Sequence, residues 1–330
     1  AVGSRTLTRR RCARTAGERG ASMEHRDFGK TGLRVSEIGL GCGPLGIHPN
    51  ADYTALLTRA LDLGINFFDS ADFYSSYRSE EWLGRVLSPR RDEVIIATKF
   101  GTIPGKGKDF SIAHMRRSLE QSLKRLRTDY IDVYQLHSPP RSVLEDEELL
   151  AALQEVKEEG KIRCCGISLE GGDYGTEAIR KWNVDSVQIT FNLFHQDPAK
   201  RFFDFAKDEG VGVIVKSPLD SGMLGGDLSP GSQRKLDDPR DRWGEAETAR
   251  RQRLFEEVEF LAEGTGRTWS QAALQFVLSF DGVSTAIPGT TSVKHLAQNA
   301  AAAGGRLTPE ELARIEGLMG GQFKSLNLDW

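Results

Sequence analysis

The chain has 330 residues, of which 44 are basic and 47 acidic, and its formal net charge at pH 7 is −3. With 38% hydrophobic and 28% charged residues, it has the composition of an ordinary globular protein that can bury a large core. The near-neutral balance argues against nucleic-acid binding, and no apolar run approaches the roughly 18 residues of a membrane span.

The amino-terminal residues differ in composition from the rest of the chain. Residues 1–22 contain six arginines, one glutamate and few large apolar side chains. We expect a disordered Arg-rich leader or tail there, with organelle targeting as the alternative. Residues 23–330 are expected to form a single domain. The four cysteines contain no CxxC pair, and Cys164 and Cys165 are adjacent, so we expect a reducing, cytoplasmic compartment rather than a disulfide framework.

From residue 26 onward, short apolar runs alternate with segments of helical periodicity. Several runs are nearly continuous, which is typical of parallel strands buried on both faces. An amphipathic helix is predicted where Ile112, Met115, Leu119 and Leu123 step by three and four. The predicted strands are Ser36–Cys42, Asn66–Asp69, Val94–Lys99, Ile131–His137, Ile162–Ser168, Ser186–Ile189, Val211–Lys216 and Gly282–Ile287.

Eight strand–helix units are the number that closes a parallel barrel. The predicted fold is therefore an α/β TIM (β/α)8 barrel with an N-terminal β-hairpin. A long loop insertion is predicted at residues 220–250, after the seventh strand. An extra C-terminal helix is predicted over Thr308–Met319, because Thr-Pro-Glu-Glu supplies an N-cap followed by proline at the first helical position.

A glycine-rich segment, residues 41–46, matches the dinucleotide-binding pattern GxGxxG directly after a predicted strand. That motif needs a helix to open at its last glycine, so that backbone amides meet the pyrophosphate. Here the chain continues with Ile47-His48-Pro49, and the periodic helix begins only near Asp52. We therefore predict a glycine-rich loop at the mouth of a barrel rather than a Rossmann fold.

Four polar residues fall at or just beyond the carboxyl ends of the second, third and fourth predicted strands: Asp69, Tyr74, Lys99 and His137. The active sites of βα-barrel enzymes lie at this end of the barrel. A strand-end lysine needs a nearby carboxylate, which Asp69 can supply. We expect the pair to lower the pKa of Tyr74 from about 10 and make it a usable acid. His137 is expected to orient a substrate oxygen or to relay a proton.

Each of these residues alone also has a structural interpretation. A strand-end Lys–Asp pair is commonly a salt bridge, a lone histidine a hydrogen-bonded rim residue, and a tyrosine a packing residue. Their combination at successive strand ends favours catalysis. No cluster of His, Asp and Glu has the spacing of metal ligands, so no metal is expected. Schiff-base chemistry at Lys99 is disfavoured because Asp69 would keep that lysine charged.

The chain resembles the aldo-keto reductase superfamily from about Met23 to its C-terminus. The opening pattern of the family is matched by residues 26–36, and its Asp–Tyr–Lys–His tetrad by Asp69, Tyr74, Lys99 and His137. The resemblance implies a barrel that binds an extended nicotinamide cofactor without a Rossmann fold. It further implies hydride transfer between the nicotinamide and the carbonyl carbon of a small carbonyl or alcohol substrate, with Tyr74 as general acid or base.

The resemblance also implies cofactor-binding positions, not all of which keep the usual residue. Gln188 and Ser168 match carboxamide-binding positions, but Leu169 replaces the usual asparagine. Lys216 stands where an aromatic ring often stacks on the nicotinamide, and Asp227 where a lysine is common. The full set of cofactor positions is Gly41, Cys42, Gly43, Asp69, Ser168, Gln188, Lys216, Ser217, Pro218, Leu219, Gly222, Gly289, Thr290, Thr291, His295, Gln298 and Asn299.

Family habit favours NADP(H), with NAD(H) as the alternative. The 2′-phosphate of NADP needs positive charge, which Lys294, His295 or the arginines of the insertion could supply: Arg234, Arg240 and Arg242. The alternative function, suggested by Leu169 and Lys216, is a cofactor-binding sensor or regulatory partner subunit with weak catalysis, similar to the potassium-channel β subunits of the family. The sequence does not indicate the oligomeric state or the substrate.

Overall fold

The computed structural model describes residues 23–225 and 245–320. The predicted leader at residues 1–22 and most of the insertion, with Asp227, Arg234, Arg240 and Arg242, lie outside these residues. None of the helices in the described ranges is long and apolar enough to cross a membrane.

The central feature is an eight-stranded parallel sheet that closes on itself. Its strands run in chain order around the sheet, and parallel bridges join Ile38 to Ala286 and Gly41 to Gly289. The backbone N–H of Ala286 donates to the carbonyl of Glu37 across this seam (2.9 Å). The predicted TIM barrel is confirmed. Its strands are β3 (Leu40–Gly41), β4 (Phe67–Asp69), β5 (Ile95–Phe100), β8 (Ile131–His137), β9 (Ile162–Leu169), β10 (Ser186–Thr190), β11 (Gly212–Lys216) and β12 (Thr285–Ala286).

The predicted first strand, Ser36–Cys42, is shorter than expected. Residues 37–39 form only an isolated bridge to Ala286 of the last strand. Regular strand pairing therefore begins at Leu40. Ser36 instead ends the second strand of the predicted N-terminal hairpin, formed by β1 (His25–Asp27) and β2 (Arg34–Ser36). A second hairpin, β6 (Thr102–Ile103) with β7 (Gly107–Lys108), follows β5 and was not predicted.

Helices surround the barrel, and α3, α4, α8 and α9 begin at a side chain that caps the first turn. In α3, Ser111 accepts a hydrogen bond from the N–H of His114, and Met115 and Leu119 are buried. The extra C-terminal helix is confirmed with a shift of one residue. The helices are α1 (Thr54–Asp62), α2 (Arg78–Leu87), α3 (Ile112–Leu126), α4 (Glu147–Glu158), α5 (Gly172–Trp182), α6 (Phe202–Asp208), α7 (Glu245–Glu257), α8 (Trp269–Leu278), α9 (Val293–Ala300) and α10 (Pro309–Gly320).

The barrel interior changes from apolar to polar along the strand direction. Because strand side chains alternate between faces, residues two apart point inward together. Ile95 and Ala97 lie in an inner apolar cluster with Val133, Cys164 and Ile214. The next inward positions toward the carboxyl ends are polar: Lys99, Gln135, His137, Ser168, Gln188 and Lys216. This gradient places the chemistry at the carboxyl rim of the barrel.

The N-terminal hairpin covers the opposite end of the barrel. The ring of Phe28 is fully buried and packs against Phe67 at 5.9 Å between centroids. Gly212, at the start of β11, has no room for a Cβ because the Phe28 ring occupies that space. The N–H of Lys30 donates to the carbonyl of Gly210 (2.7 Å). The amino end of the barrel is therefore filled by side chains.

Candidate active site

The four predicted catalytic residues come together at the carboxyl rim. Asp69 ends β4, Lys99 lies near the end of β5, His137 ends β8, and Tyr74 lies on the loop after β4. The Lys99 ammonium is 5.1 Å from the centroid of the Tyr74 ring. The Tyr74 and His137 rings meet edge to face, with centroids 5.8 Å apart. One site at the rim thus contains a phenol, an imidazole and a buried ion pair.

The predicted ion pair between Lys99 and Asp69 is almost completely buried, with 0% and 5% of the respective side chains exposed. Lys99 Nζ donates to Asp69 Oδ2 and to the carbonyl of Ser70, both at 2.6 Å. Asp69 Oδ1 accepts from the amides of Gln188 (2.7 Å) and Gln135 (3.3 Å). The attraction to Asp69 keeps the pKa of Lys99 above its ordinary value despite burial, so the lysine stays charged.

The prediction that the ion pair lowers the pKa of Tyr74 is wrong. Burial of the hydroxyl raises its pKa above 10, and the nearby Lys99 charge offsets this only in part because Asp69 largely neutralises it. The phenol is therefore fully protonated at neutral pH. That state suits a group that donates a proton to a developing alkoxide.

The loop that carries Tyr74 has an unusual backbone. Ser75, Ser76 and Tyr77 have φ values of 51°, 55° and 72°, a left-handed conformation that costs non-glycine residues about 1 kcal/mol or more each. Ser75 Oγ donates to the carbonyl of Gly43 (2.9 Å), which ties the loop to the glycine-rich segment after β3. The surrounding hydrogen bonds hold Tyr74 in place against this strain.

His137 is held in its neutral form. Burial and the positive charges of Lys99, Lys108 and Lys216 lower its pKa to about 2. Its ring stacks on Phe73 at 5.3 Å, and its Nδ1 is buried without a hydrogen-bond partner. A neutral imidazole can donate one hydrogen bond to a substrate oxygen. It cannot act as a charged acid at physiological pH, which favours the orienting role over proton relay.

Behind the Tyr74 loop lies a buried polar network that the sequence did not reveal. Ser118 Oγ donates to Asp72 Oδ2, and Thr98 Oγ1 donates to Glu80 Oε1, both at 2.6 Å. Arg125 pairs with the other oxygen of Glu80 (2.7 Å). These residues connect the loop and α2 to α3 and to the outer face of β5, and so support the position of Tyr74.

The predicted carboxamide-binding residues face the interior beside Asp69. Ser168 Oγ donates to Gln188 Oε1 (3.0 Å). Leu169 packs instead in the layer between sheet and helices. Lys216, in place of a stacking aromatic ring, extends its ammonium to Glu170 Oε1 (2.7 Å) and Ser168 Oγ (3.5 Å). Glu170 was not predicted from the sequence, because it lies 46 residues from Lys216 in the chain.

The remaining predicted cofactor positions lie in the segments that follow β3, β11 and β12 and in α9. Gly41 ends β3, and Cys42 and Gly43 begin a segment without a helix before Thr54, which confirms the non-Rossmann interpretation of this segment. The loop after β11 places Ser217, Pro218, Leu219 and, at φ 88°, Gly222. The loop after β12 places Gly289, Thr290 and Thr291, and α9 carries His295, Gln298 and Asn299.

These residues fit a nicotinamide dinucleotide. Polar interior groups at Ser168 and Gln188 suit a carboxamide. The α9 N-terminus is capped by Ser292, whose side chain satisfies only the N–H of His295, so other first-turn amides are free of intrahelical acceptors and suit a phosphate. Lys294 and His295 are exposed in that first turn and could add positive charge.

Comparison with known proteins agrees with this geometry. The sequence pattern of the Aldo/keto reductase family matches residues 37–319. The chain is 32% identical to the "Uncharacterized oxidoreductase YqkF" of Bacillus subtilis over 89% of this chain and 96% of that protein. It is also 32% identical to L-galactose dehydrogenase of Arabidopsis thaliana, over 85% of this chain and 88% of that enzyme.

A solved structure has the same fold. The aldo-keto reductase AKR11C1 from Bacillus halodurans, in its holo form, superposes with a TM-score of 0.75 at 32% identity, over 90% of this chain and 96% of that one. Members of this family are oxidoreductases that use nicotinamide cofactors and act on small carbonyl compounds. The match over most of the chain, together with the assembled Asp69, Tyr74, Lys99 and His137, shows that this protein belongs to the aldo/keto reductase family.

Proposed function

We propose that the protein is an NAD(P)(H)-dependent oxidoreductase that interconverts an aldehyde, ketone or sugar carbonyl and its alcohol, with Tyr74 as general acid and base. The observation that carries the proposal is the assembly of a protonated phenol, a neutral imidazole and a Lys–Asp ion pair at one barrel rim. The nicotinamide, when bound, supplies or accepts the hydride.

The protein's own residues supply the remaining proton and the charge stabilisation. In the reductive direction the Tyr74 hydroxyl donates its proton to the carbonyl oxygen, as negative charge develops there. The Lys99 ammonium beside the Tyr74 ring stabilises the phenolate that forms. An N–H of neutral His137 donates a hydrogen bond to the same oxygen and orients the substrate. Asp69 holds Lys99 in place and keeps it charged.

The test is Tyr74→Phe, which removes only the hydroxyl. We expect kcat to fall by about a thousandfold, the range for loss of a general acid, while the Kd for the cofactor changes by less than about twofold. Tyr77→Phe is the matched control: this tyrosine lies on the same loop, but 43% of it is exposed. Retention of normal turnover in Tyr74→Phe would refute the assigned role.

For the cofactor we propose NADP(H), with NAD(H) as the alternative. Support comes from Lys294 and His295 in the exposed first turn of α9, because a 2′-phosphate needs positive charge nearby. Fluorescence titration with NADPH and with NADH measures the preference directly. Tighter binding of NADPH that is lost in Lys294→Gln supports the assignment; equal affinity for the two cofactors contradicts it.

The ion pair of Lys216 with Glu170, in place of a stacking ring, also supports the second candidate, a cofactor-binding sensor or regulatory subunit. Such a protein would bind the cofactor tightly but turn over slowly on every carbonyl tested. In that case Tyr74→Phe would reduce an already low rate without affecting cofactor affinity. Rapid turnover by the unmodified protein would exclude this candidate.

A further inference from the structure

A lysine outside the tetrad stands at the mouth of the site. Lys108 ends the hairpin that follows β5, and its Nζ donates to the carbonyl of His137 (2.8 Å) and to Thr102 Oγ1 (2.6 Å). These two bonds hold the ammonium beside the backbone of a tetrad residue, on the exposed side of the rim. Its position is therefore fixed relative to Tyr74 and His137.

Lys108 differs from the other two lysines of this rim. Asp69 pairs with Lys99, and Glu170 pairs with Lys216, but within residues 23–225 and 245–320 no carboxylate lies in ion-pair distance of Lys108. Partial burial and the charge of Lys216 both lower the pKa of Lys108, so its neighbours oppose rather than stabilise its charge. Among the described residues, this part of the rim therefore carries one positive charge without a balancing carboxylate.

The hydrogen-bonding capacity of Lys108 is also incomplete. An ammonium has three N–H donors, and the carbonyl of His137 and the hydroxyl of Thr102 take two. One donor and one unbalanced charge match a single carboxylate oxygen. A phosphate carries more negative charge and more acceptor oxygens than one ammonium with one remaining N–H can match.

We propose that Lys108 binds a carboxylate of the substrate, so that the protein prefers carbonyl compounds that carry an acid group. This inference rests on the proposed function, because it places the carboxylate beside the Tyr74–His137 pair that receives the reacting oxygen. It makes Lys108 a specificity-determining residue, whereas the tetrad performs the chemistry on charged and neutral substrates alike.

The test compares para-carboxybenzaldehyde with its methyl ester, two aldehydes of similar shape that differ in charge. We expect a kcat/KM about tenfold higher for the acid in the unmodified protein at low ionic strength, in line with one partly exposed charge-assisted hydrogen bond. Lys108→Gln should remove this preference by lowering kcat/KM for the acid alone. Lys108→Arg, which keeps the charge, should restore most of it, and added salt should weaken it.

Lys106→Gln is the matched control, because Lys106 lies on the same hairpin and is exposed, and its side chain is hydrogen-bonded to none of the residues that the structure describes. It should retain the full preference. An unmodified protein with no preference for the acid overturns the proposal, and so does a Lys108→Gln variant that loses activity equally on both aldehydes. The latter result would indicate that Lys108 only supports the position of His137.

A binding measurement separates this proposal from the proposed function. Calorimetric titration with para-(hydroxymethyl)benzoate and its methyl ester requires no turnover. Tighter binding of the acid that is lost in Lys108→Gln, without reduction of either aldehyde, would uphold the carboxylate site and refute the reductase assignment. Reduction of both aldehydes, with equal binding of the acid and its ester, would uphold the reductase assignment and refute the carboxylate site.

Discussion

Asp72 lies on the loop between Asp69 and Tyr74, and this residue is only 5% exposed. One oxygen accepts from Ser118, while the other is buried without a hydrogen-bond partner. This burial, together with the nearby charge of Glu80, raises the pKa of Asp72 from 3.8 to about 6. The site loop thus contains a carboxylate whose charged form the folded protein disfavours.

This raised pKa makes the free energy of unfolding depend on pH. The folded protein binds this proton more tightly than the unfolded chain, so stability is lost as pH rises from about 4 to about 6 and stays lost above this window. The difference between 3.8 and about 6 corresponds to about 3 kcal/mol at neutral pH. Asp72→Asn removes the titration while keeping an oxygen that can accept from Ser118.

The assay is urea unfolding of the unmodified protein and of Asp72→Asn at a series of pH values. We expect the stability of the variant relative to the unmodified protein to rise by about 3 kcal/mol between about pH 4 and about pH 8. Any change in stability caused by the new amide itself is the same at every pH, so it does not contribute to this rise. Parallel pH profiles for Asp72→Asn and the unmodified protein would refute the reasoning.

Two further predictions concern the tetrad. Lys99→Met should lower the free energy of unfolding by about 3–5 kcal/mol because it leaves Asp69 buried and unpaired, and the double variant Lys99→Met/Asp69→Asn should lose much less than the sum of the single losses. Urea unfolding measures both, and additive losses would show that the pair is not coupled. His137 should stay neutral throughout the pH range from about 5 to 8, since its pKa is lowered to about 2. Its ring proton NMR signals, assigned by their loss in His137→Asn, should not move; a midpoint near 6.5 would contradict this.

The barrel and its tetrad were predictable because they depend on local patterns. Buried parallel strands appear as apolar runs, and the rule that function lies at their carboxyl ends selected Asp69, Lys99 and His137. Gln135 was within reach of the same reasoning. It lies two residues before His137, so strand alternation places it on the inner face, where its amide contacts Asp69.

Other features depend on packing that a linear pattern does not contain. The pKa of Tyr74 is set by how deeply the hydroxyl is buried, which outweighs the charge beside it. The pairing of Lys216 with Glu170 joins the end of β11 to the residue that follows β9, and these two strands are not neighbours in the sheet. Lys108 reaches His137 only because a short hairpin, without a strong sequence signal, turns the chain back over the rim.

The plug formed by Phe28 at the amino end has a kinetic consequence. Because Phe28 fills that end and an apolar cluster fills the interior next to it, two reactants that meet at the carboxyl rim must enter and leave from that side. The ligand that lies deeper has to arrive first and depart last. The filled barrel would thereby impose an order on the reaction cycle, with release of the deeper ligand waiting for release of the shallower one.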